Sequence, residues 1–199
     1  MITRKTGKLF ILSGPSGSGK STILKGVLAA LPEAYFSVSA TTRGPRPGEV
    51  AGRDYLYISE EEFIELQNAE GFLESANYVG NWYGTPLPPI RERLDAGIDV
   101  FLDIEIQGAA QVKENMPEAV KIFLFPPSIA ILEERLRARG TDTEEKILRR
   151  LERAIEEYAR ATFYDYLVIN DTIEEAIAEV LAIVKAEHCK LESRRHLIN

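Results

Sequence analysis

Cysteine is almost absent from this chain of 199 residues, since Cys189 is the only one. A single cysteine cannot form an internal disulfide, which excludes a disulfide-held fold and favours a reducing compartment. Long apolar runs are absent as well: no stretch reaches the roughly 18 residues that a membrane-spanning helix needs. Residues 1–7 lead directly into a predicted strand and leave no room for a secretory signal. We therefore expect a cytoplasmic protein without a membrane partner.

Positive charge is scarce too. The chain has 24 Lys and Arg against 31 Asp and Glu, a net charge of −7. This balance argues against a protein that coats nucleic acid with a basic face. An acidic protein that binds anions must concentrate its positive charge locally, so the positions of the arginines become informative. Residues 39–85 contain no lysine, and their only basic residues are Arg43, Arg46 and Arg53.

Glycine is concentrated in one short segment, GPSGSGKS at residues 14–21. It matches G-x-x-x-x-G-K-[ST] and lies between an apolar run and a helical pattern, so a turn that only caps a helix is the weaker interpretation. In such a loop, backbone N–H groups and the helix N-terminus bind phosphates, Lys20 reaches the β- and γ-phosphates, and Ser21 ligates Mg²⁺. The predicted ATP-binding residues here are Gly14, Pro15, Ser16, Gly17, Ser18, Gly19, Lys20, Ser21 and Thr22.

Apolar, β-rich runs alternate with helical patterns along the chain. This alternation predicts an α/β fold with a parallel sheet flanked by helices, whose ligands bind at the carboxyl ends of the strands. The predicted strands are 9–12, 36–40, 100–104, 120–125 and 166–169. The predicted helices are 20–30, 89–96, 108–115, 129–137, 144–160 and 174–188.

Two segments interrupt the alternation, and both are expected to be insertions at the rim of the core, where lids occur. The first, 39–85, holds short strand signals and a helix that begins at a predicted capping box of Ser59 and Glu62. The second, 137–160, is a loop followed by a long charged helix with many arginines.

The segment TRGPRPGE at residues 42–49 predicts a second anion site. Its prolines limit backbone freedom, and the guanidinium groups of Arg43 and Arg46 suit a phosphate monoester because each can bind it with two parallel hydrogen bonds. Pairing of these arginines with nearby carboxylates is an equal alternative on composition. The buried run at 100–102 ends in Asp103, a Walker B pattern that helps to hold Mg²⁺.

The order of these motifs resembles that of guanylate kinases over essentially the whole chain. The matching stretches are 14–22, SVSATTRGPRPGE at 37–49, GRDY at 52–55, NWYGT at 81–85, LDIEIQG at 102–108, RGT at 139–141 and VIND at 168–171. The phosphate loop is shared by many families, whereas the arginine segment is far more specific. The resemblance implies transfer of the γ-phosphoryl group of MgATP to GMP or dGMP. It also implies a P-loop kinase core of 1–38, 86–126 and 162–199, a GMP-binding insertion of 39–85 and a lid region of 127–161.

The resemblance also assigns roles to single residues. Arg43 and Arg46 would bind the GMP phosphate together with two tyrosines, and Glu74 would accept hydrogen bonds from the guanine. Glu105 stands where many family members carry Asp, which puts its contact in doubt. The implied GMP-binding residues are Ser39, Arg43, Arg46, Glu49, Tyr55, Glu74, Tyr83, Thr85, Asp103 and Glu105. The implied catalytic residues are Lys20, Arg43, Arg139 and Arg150; Ser21 and Asp103 would face the metal, and Asn170 would lie near adenine.

Three other functions compete with this one. Guanylate-kinase-like domains of scaffold proteins bind phosphopeptides without catalysis, but those domains typically lack an intact phosphate loop. A GTPase switch would need an Asn-Lys-x-Asp motif, which the sequence lacks. Another small-molecule kinase with the same core, for thymidylate, shikimate or a ribose bisphosphate, would share the phosphate-loop chemistry, but the arginine segment together with Tyr55, Glu74 and Tyr83 disfavours it. The expected partners are ATP and GMP and not nucleic acid; the sequence leaves a homo-oligomer open.

Overall fold

The computed structural model describes residues 6–78, 80–138, 140 and 142–197. In that part of the chain the strands are β1 (Leu9–Ser13), β2 (Tyr35–Phe36), β3 (Ala40–Thr41), β4 (Leu56–Tyr57), β5 (Phe72–Tyr78), β6 (Asn81–Pro86), β7 (Val100–Asp103), β8 (Val120–Phe125) and β9 (Tyr166–Ile169). The helices are α1 (Lys20–Ala30), α2 (Glu60–Asn68), α3 (Leu87–Asp95), α4 (Ile106–Asn115), α5 (Ile129–Ala138), α6 (Glu144–Arg160), α7 (Ile173–Cys189) and α8 (Leu191–Arg194). Short 3₁₀ turns lie at Ala161–Phe163 and Arg195–Leu197.

The main sheet has five parallel strands in the order β2-β7-β1-β8-β9. The central strand β1 is buried along its whole length, and successive side chains point to opposite faces. Phe10 therefore packs in one core cluster with residues of α1 and α7, while Ile11 packs in another with residues of α3 and α4. The predicted α/β fold with a parallel sheet flanked by helices is confirmed.

A second sheet of four strands, in the order β4-β3-β6-β5, is built from residues 40–86. Its own small core centres on Phe63 of α2, which is fully buried and stacks on Phe72 and Trp82 at centroid distances of 4.4 and 5.6 Å. The predicted capping box is present, since Ser59 Oγ accepts from the Glu62 N–H at 3.1 Å and Glu62 Oε2 accepts from the Ser59 N–H at 2.7 Å.

The strand predicted over 36–40 is wrong as a single element. The chain leaves the main sheet where the Ser37 N–H donates to the Phe101 carbonyl at 3.0 Å, and it enters the second sheet at β3. Phe36 on the first side is partly buried and Ala40 on the second is buried, so apolar residues mark both ends and the sequence pattern does not reveal the change of sheet. This crossing brings the second sheet to the carboxyl ends of the main strands.

The predicted helices are present, with three earlier starts: α7 begins at Ile173, one residue before its predicted start. Helix α3 begins at Leu87 and α4 at Ile106, each two residues before its predicted start. In α3 this is possible because Pro88 and Pro89 occupy the first turn, where a backbone N–H has no partner within the helix. Among the residues that the structure describes, no helix has the length and apolar character needed to cross a membrane.

Candidate active site

The phosphate loop connects β1 to α1 at the carboxyl edge of the main sheet. Gly17 and Gly19 have φ angles of 97° and 94°, a left-handed conformation that other residues adopt only with strain. Gly19 caps α1 without a side-chain hydrogen bond. The Thr22 N–H donates to the Gly19 carbonyl at 3.0 Å, so the start of the helix at Lys20 and Ser21 is the part that can bind an anion. Lys20 Nζ lies in the loop and donates to the Gly14 carbonyl at 2.7 Å.

Asp103 ends β7 beside the loop, opposite Leu12 in the parallel register. Its Oδ1 lies 3.9 Å from Lys20 Nζ. Burial raises the pKa of the Asp103 carboxyl, and the nearby ammonium of Lys20 partly offsets that effect. Within the described ranges, no three His, Cys, Asp or Glu side chains converge as a metal site. One carboxylate and the exposed Ser21 hydroxyl instead fit a Mg²⁺ ion that arrives on the phosphates of a nucleotide.

The side chain of Asn170 stabilises the phosphate loop through a buried hydrogen bond. It is 3% exposed, and its Nδ2 donates to the Ser18 carbonyl at 2.7 Å. A Cβ at Gly19 would lie 2.3 Å from that nitrogen, so glycine permits the close approach. The backbone carbonyl of Asn170 accepts a hydrogen bond from Arg135 Nη2 at 2.9 Å. The residue that the resemblance places near adenine thus contacts the loop itself in this structure.

Helix α6 reaches the phosphate loop through Arg150. The Nη1 of this residue donates to Ser16 Oγ at 2.7 Å, and its Nη2 lies 3.4 Å from Asp142 Oδ2. Both partners are side chains of loops, so the guanidinium is held at the mouth of the loop. Arg139, the other arginine that the resemblance assigns to the lid, lies outside the described residues.

Arg43 is held on three sides in the second sheet. Its two Nη atoms donate to the two carboxylate oxygens of Glu49 at 3.0 Å each, and its Nε donates to the Tyr83 hydroxyl at 3.2 Å. Its Cζ lies 5.3 Å from the centre of the Tyr55 ring. For Arg43 the structure therefore shows the pairing with a carboxylate that composition left open. The guanidinium is already oriented, while the Arg46 side chain is exposed.

The carboxylate of Glu49 is a shared hydrogen-bond acceptor for three residues around this loop. Besides Arg43, its carboxylate accepts from the Arg46 backbone N–H and from the Tyr57 hydroxyl, each at 2.7 Å. These hydrogen bonds lower the pKa of Glu49 to about 2. Those from Arg43 have the largest effect, followed by those from Arg46 and Tyr57. Sequence reasoning missed Tyr57; its only signal is the spacing Tyr55-Leu56-Tyr57, which puts two tyrosines on one face of a strand.

Glu74 is a buried carboxylate on the same sheet. It lies on β5 opposite Thr85 of β6, whose Oγ1 donates to Glu74 Oε1 at 2.5 Å. Glu74 is 8% exposed, and burial raises the pKa of its carboxyl while the hydrogen bond from Thr85 lowers it. Helix α4 closes over it: a Cβ at Gly108 would lie 2.6 Å from Glu74 Oε2. Ser39 is half-buried at the entry to β3.

Glu105 lies between the two sheets and α6. It is exposed, caps the start of α4 and follows Asp103 at the end of β7. Its carboxylate forms an ion pair with Arg153 of α6. Sequence reasoning grouped Arg153 with the other arginines of this helix and gave it no role of its own.

These residues form a site at the carboxyl ends of the main strands, with an anion loop on one side and an oriented arginine and a buried carboxylate on the other. The family model described as Guanylate kinase matches residues 6–187. The guanylate kinase of Streptococcus thermophilus is 52% identical over 187 residues, covering 94% of this chain and 90% of the relative. That of Oceanobacillus iheyensis is 50% identical over 191 residues, covering 96% and 93%.

A solved structure gives the same result at the level of the fold. The crystal structure of guanylate kinase from Anaplasma phagocytophilum superposes with a TM-score of 0.75 at 33% identity, covering 98% of this chain and 99% of that one. Sequence and structure thus agree over nearly the full length. The chain belongs to the guanylate kinase family of nucleoside monophosphate kinases.

Proposed function

We propose that this chain transfers the γ-phosphoryl group of MgATP to GMP or dGMP, giving ADP and GDP. The observation that carries the proposal is the second sheet, in which β3, β6 and β5 are neighbours. It sets the oriented guanidinium of Arg43 and the hydroxyl of Tyr83 on one side and the buried carboxylate of Glu74 on the other. A cation for a phosphate and a hydrogen-bond acceptor for a base are thus presented together.

The base pocket supports guanine over adenine. Guanine offers the donors N1–H and N2–H₂ side by side, and a carboxylate accepts both; adenine lacks this donor pair. Thr85 already donates to Glu74 Oε1, which holds the carboxylate and leaves Oε2 for a ligand. Because an unpaired buried carboxylate is costly, a base without these donors would be rejected strongly. Ser39 completes the proposed pocket.

On the acceptor side, Arg43, Arg46, Tyr55 and Tyr83 would hold the GMP phosphate. Arg43 and the ring of Tyr55 are in place, whereas the exposed side chain of Arg46 has to turn inward. Glu49 contributes to GMP binding through Arg43, because its carboxylate is engaged by that guanidinium.

On the donor side, the loop residues 14–22 would cradle the triphosphate, with Asn170 fixing the loop from behind. Lys20 would reach the β- and γ-phosphates, while the Ser21 hydroxyl and Asp103 would face the Mg²⁺ of the substrate. Arg150, together with Arg139, would add positive charge at the mouth of the loop.

The chemistry needs little from a general base, because the acceptor is already a phosphate dianion. The barrier is electrostatic: two anionic phosphates must approach in line. Lys20, Arg43, Arg139 and Arg150 would screen this repulsion and stabilise the charge on the transferring group. Closure of α6 and of the second sheet over the site would exclude water and limit ATP hydrolysis.

The same proposal divides the chain by role. Residues 39–85 form the GMP-binding insertion, which agrees with a separate sheet built from 40–86. Residues 127–161 form the lid, and 1–38, 86–126 and 162–199 form the P-loop core. ATP and GMP are the proposed small-molecule partners. The single cysteine favours a reducing compartment, so the proposed location is the cytoplasm.

A coupled assay of ADP release tests the proposal. MgATP is offered with GMP, AMP, UMP, CMP or dTMP, and without an acceptor. ADP release that depends on GMP, with the other nucleotides near background, is the expected result. Turnover with a different nucleotide would overturn the assignment of Glu74 and Ser39. Binding of GMP by the folded protein without turnover would point instead to a binding module.

A further inference from the structure

Arg153 joins three parts of the molecule. It lies on α6, and its guanidinium forms an ion pair with Glu105, the cap of α4 two residues after β7. Its Cζ lies 5.7 Å from the centre of the Tyr78 ring at the end of β5. Its Nε donates to Glu157 Oε1 at 2.8 Å, one turn further along the same helix. The guanidinium thus bridges the lid helix, the main sheet and the second sheet in one geometry.

Arg150 lies three residues earlier on the same helix. There it contacts Ser16 of the phosphate loop, whereas Arg153 contacts the acceptor half of the site. Residues three apart lie on one face of a helix and move together with it. Helix α6 therefore touches the donor side with one arginine and the acceptor side with the next.

The charges around Arg153 explain why a cation is needed here. Asp103, Glu105 and Glu157 are carboxylates near the place where two polyanionic nucleotides would meet. Uncompensated, the negative charge of Glu105 would add to the repulsion of both substrates. Its side chain is the most exposed of the three at 64%. An ion pair this exposed adds little to the stability of the fold, so its contribution is expected in the arrangement of the site.

We propose that Arg153 is a positioning residue that couples the two nucleotide sites, by holding Glu105 and Tyr78 on the acceptor side while its helix holds Arg150 on the donor side. The inference rests on the proposed function. Coupling of this kind is reciprocal: if the ATP analogue tightens the binding of GMP by a given factor, GMP tightens the binding of the analogue equally.

The test measures the Kd of GMP by isothermal titration calorimetry, with and without a saturating non-hydrolysable MgATP analogue. In the wild-type protein the analogue should tighten GMP binding by about fivefold or more. In Arg153→Ala the ratio should fall close to one, with GMP KM raised and the melting temperature unchanged. Arg153→Lys, which keeps the charge but not the planar fork, should give an intermediate ratio.

Arg149→Ala is the matched control, since Arg149 lies on the same helix and pairs with Glu145 of that helix. It should keep the wild-type ratio. A wild-type ratio in Arg153→Ala, or a ratio of one in the wild-type protein, would overturn the inference while GMP phosphorylation continued. Failure of the wild-type protein to bind GMP at all would instead overturn the proposed function.

Discussion

Both carboxylate oxygens of Glu49 accept hydrogen bonds from the guanidinium of Arg43, at 3.0 Å each. The arginine that is proposed to hold the GMP phosphate is therefore oriented before any ligand arrives. Orienting a charged fork in advance lowers the entropy lost on binding, and a phosphate must then share Arg43 with Glu49.

The pair predicts a pH dependence of stability. The pKa of Glu49 in the folded protein, about 2, lies below the ordinary value of 4.5. The ionised carboxylate therefore stabilises the folded state above pH 4.5, and this stabilisation is lost as the pH falls toward 2. Urea denaturation of the wild-type protein and Glu49→Gln should show a constant difference above pH 5 that shrinks below pH 4.5. A difference that does not vary with pH would contradict the pairing.

Glu74→Gln should separate activity from stability. Gln presents an NH₂ group in place of one acceptor, so kcat/KM for GMP should fall by about 100-fold or more. Burial raises the pKa of Glu74 above its ordinary value, so ionisation at neutral pH destabilises the fold, and the neutral amide should melt at the same or a higher temperature. Calorimetry and steady-state kinetics check the two halves; wild-type kcat/KM would remove Glu74 from the pocket.

Gly108→Ala should weaken GMP binding although alanine favours a helix. The new Cβ would lie 2.6 Å from Glu74 Oε2, and the buried carboxylate has little room to move. We expect GMP KM to rise roughly tenfold, about 1.4 kcal/mol. The KM of ATP is the internal control and should stay constant. An equal rise in both constants would show a general disturbance rather than a blocked pocket.

Asn170→Ala should act on the donor side alone. It removes the donor to the Ser18 carbonyl and leaves a buried acceptor unpaired, which costs roughly 1–3 kcal/mol of stability. The phosphate loop would lose its support, so ATP KM should rise while GMP KM is unchanged. Thermal denaturation and kinetics with each substrate varied measure this. Unchanged ATP KM would mean that the loop holds its shape without Asn170.

Local patterns predicted much of the fold. The phosphate loop, the capping box of Ser59 and Glu62 and the buried strand β1 all depend on residues close in sequence, and each is present. The change of sheet between Phe36 and Ala40 was not predicted, because burial on either sheet gives the same apolar pattern.

The partners of long side chains were beyond the sequence. Arg43 and Arg153 could each pair with any of several carboxylates. Only the packing of the sheets and of α6 selects Glu49 for Arg43 and adds Glu105 to the Glu157 partner that Arg153 has on its own helix. The contact of Tyr57 could not be predicted for the same reason, since it depends on the direction of the Glu49 side chain.

The most direct measurement follows the phosphoryl group itself. ATP labelled with ³²P at the γ-position is incubated with Mg²⁺, GMP and the protein, and the products are separated. The label should appear in GDP, with one ADP formed for each GDP, and Lys20→Ala should slow this transfer by about 10² to 10³-fold while remaining folded. Label in inorganic phosphate with GMP unchanged would contradict the account.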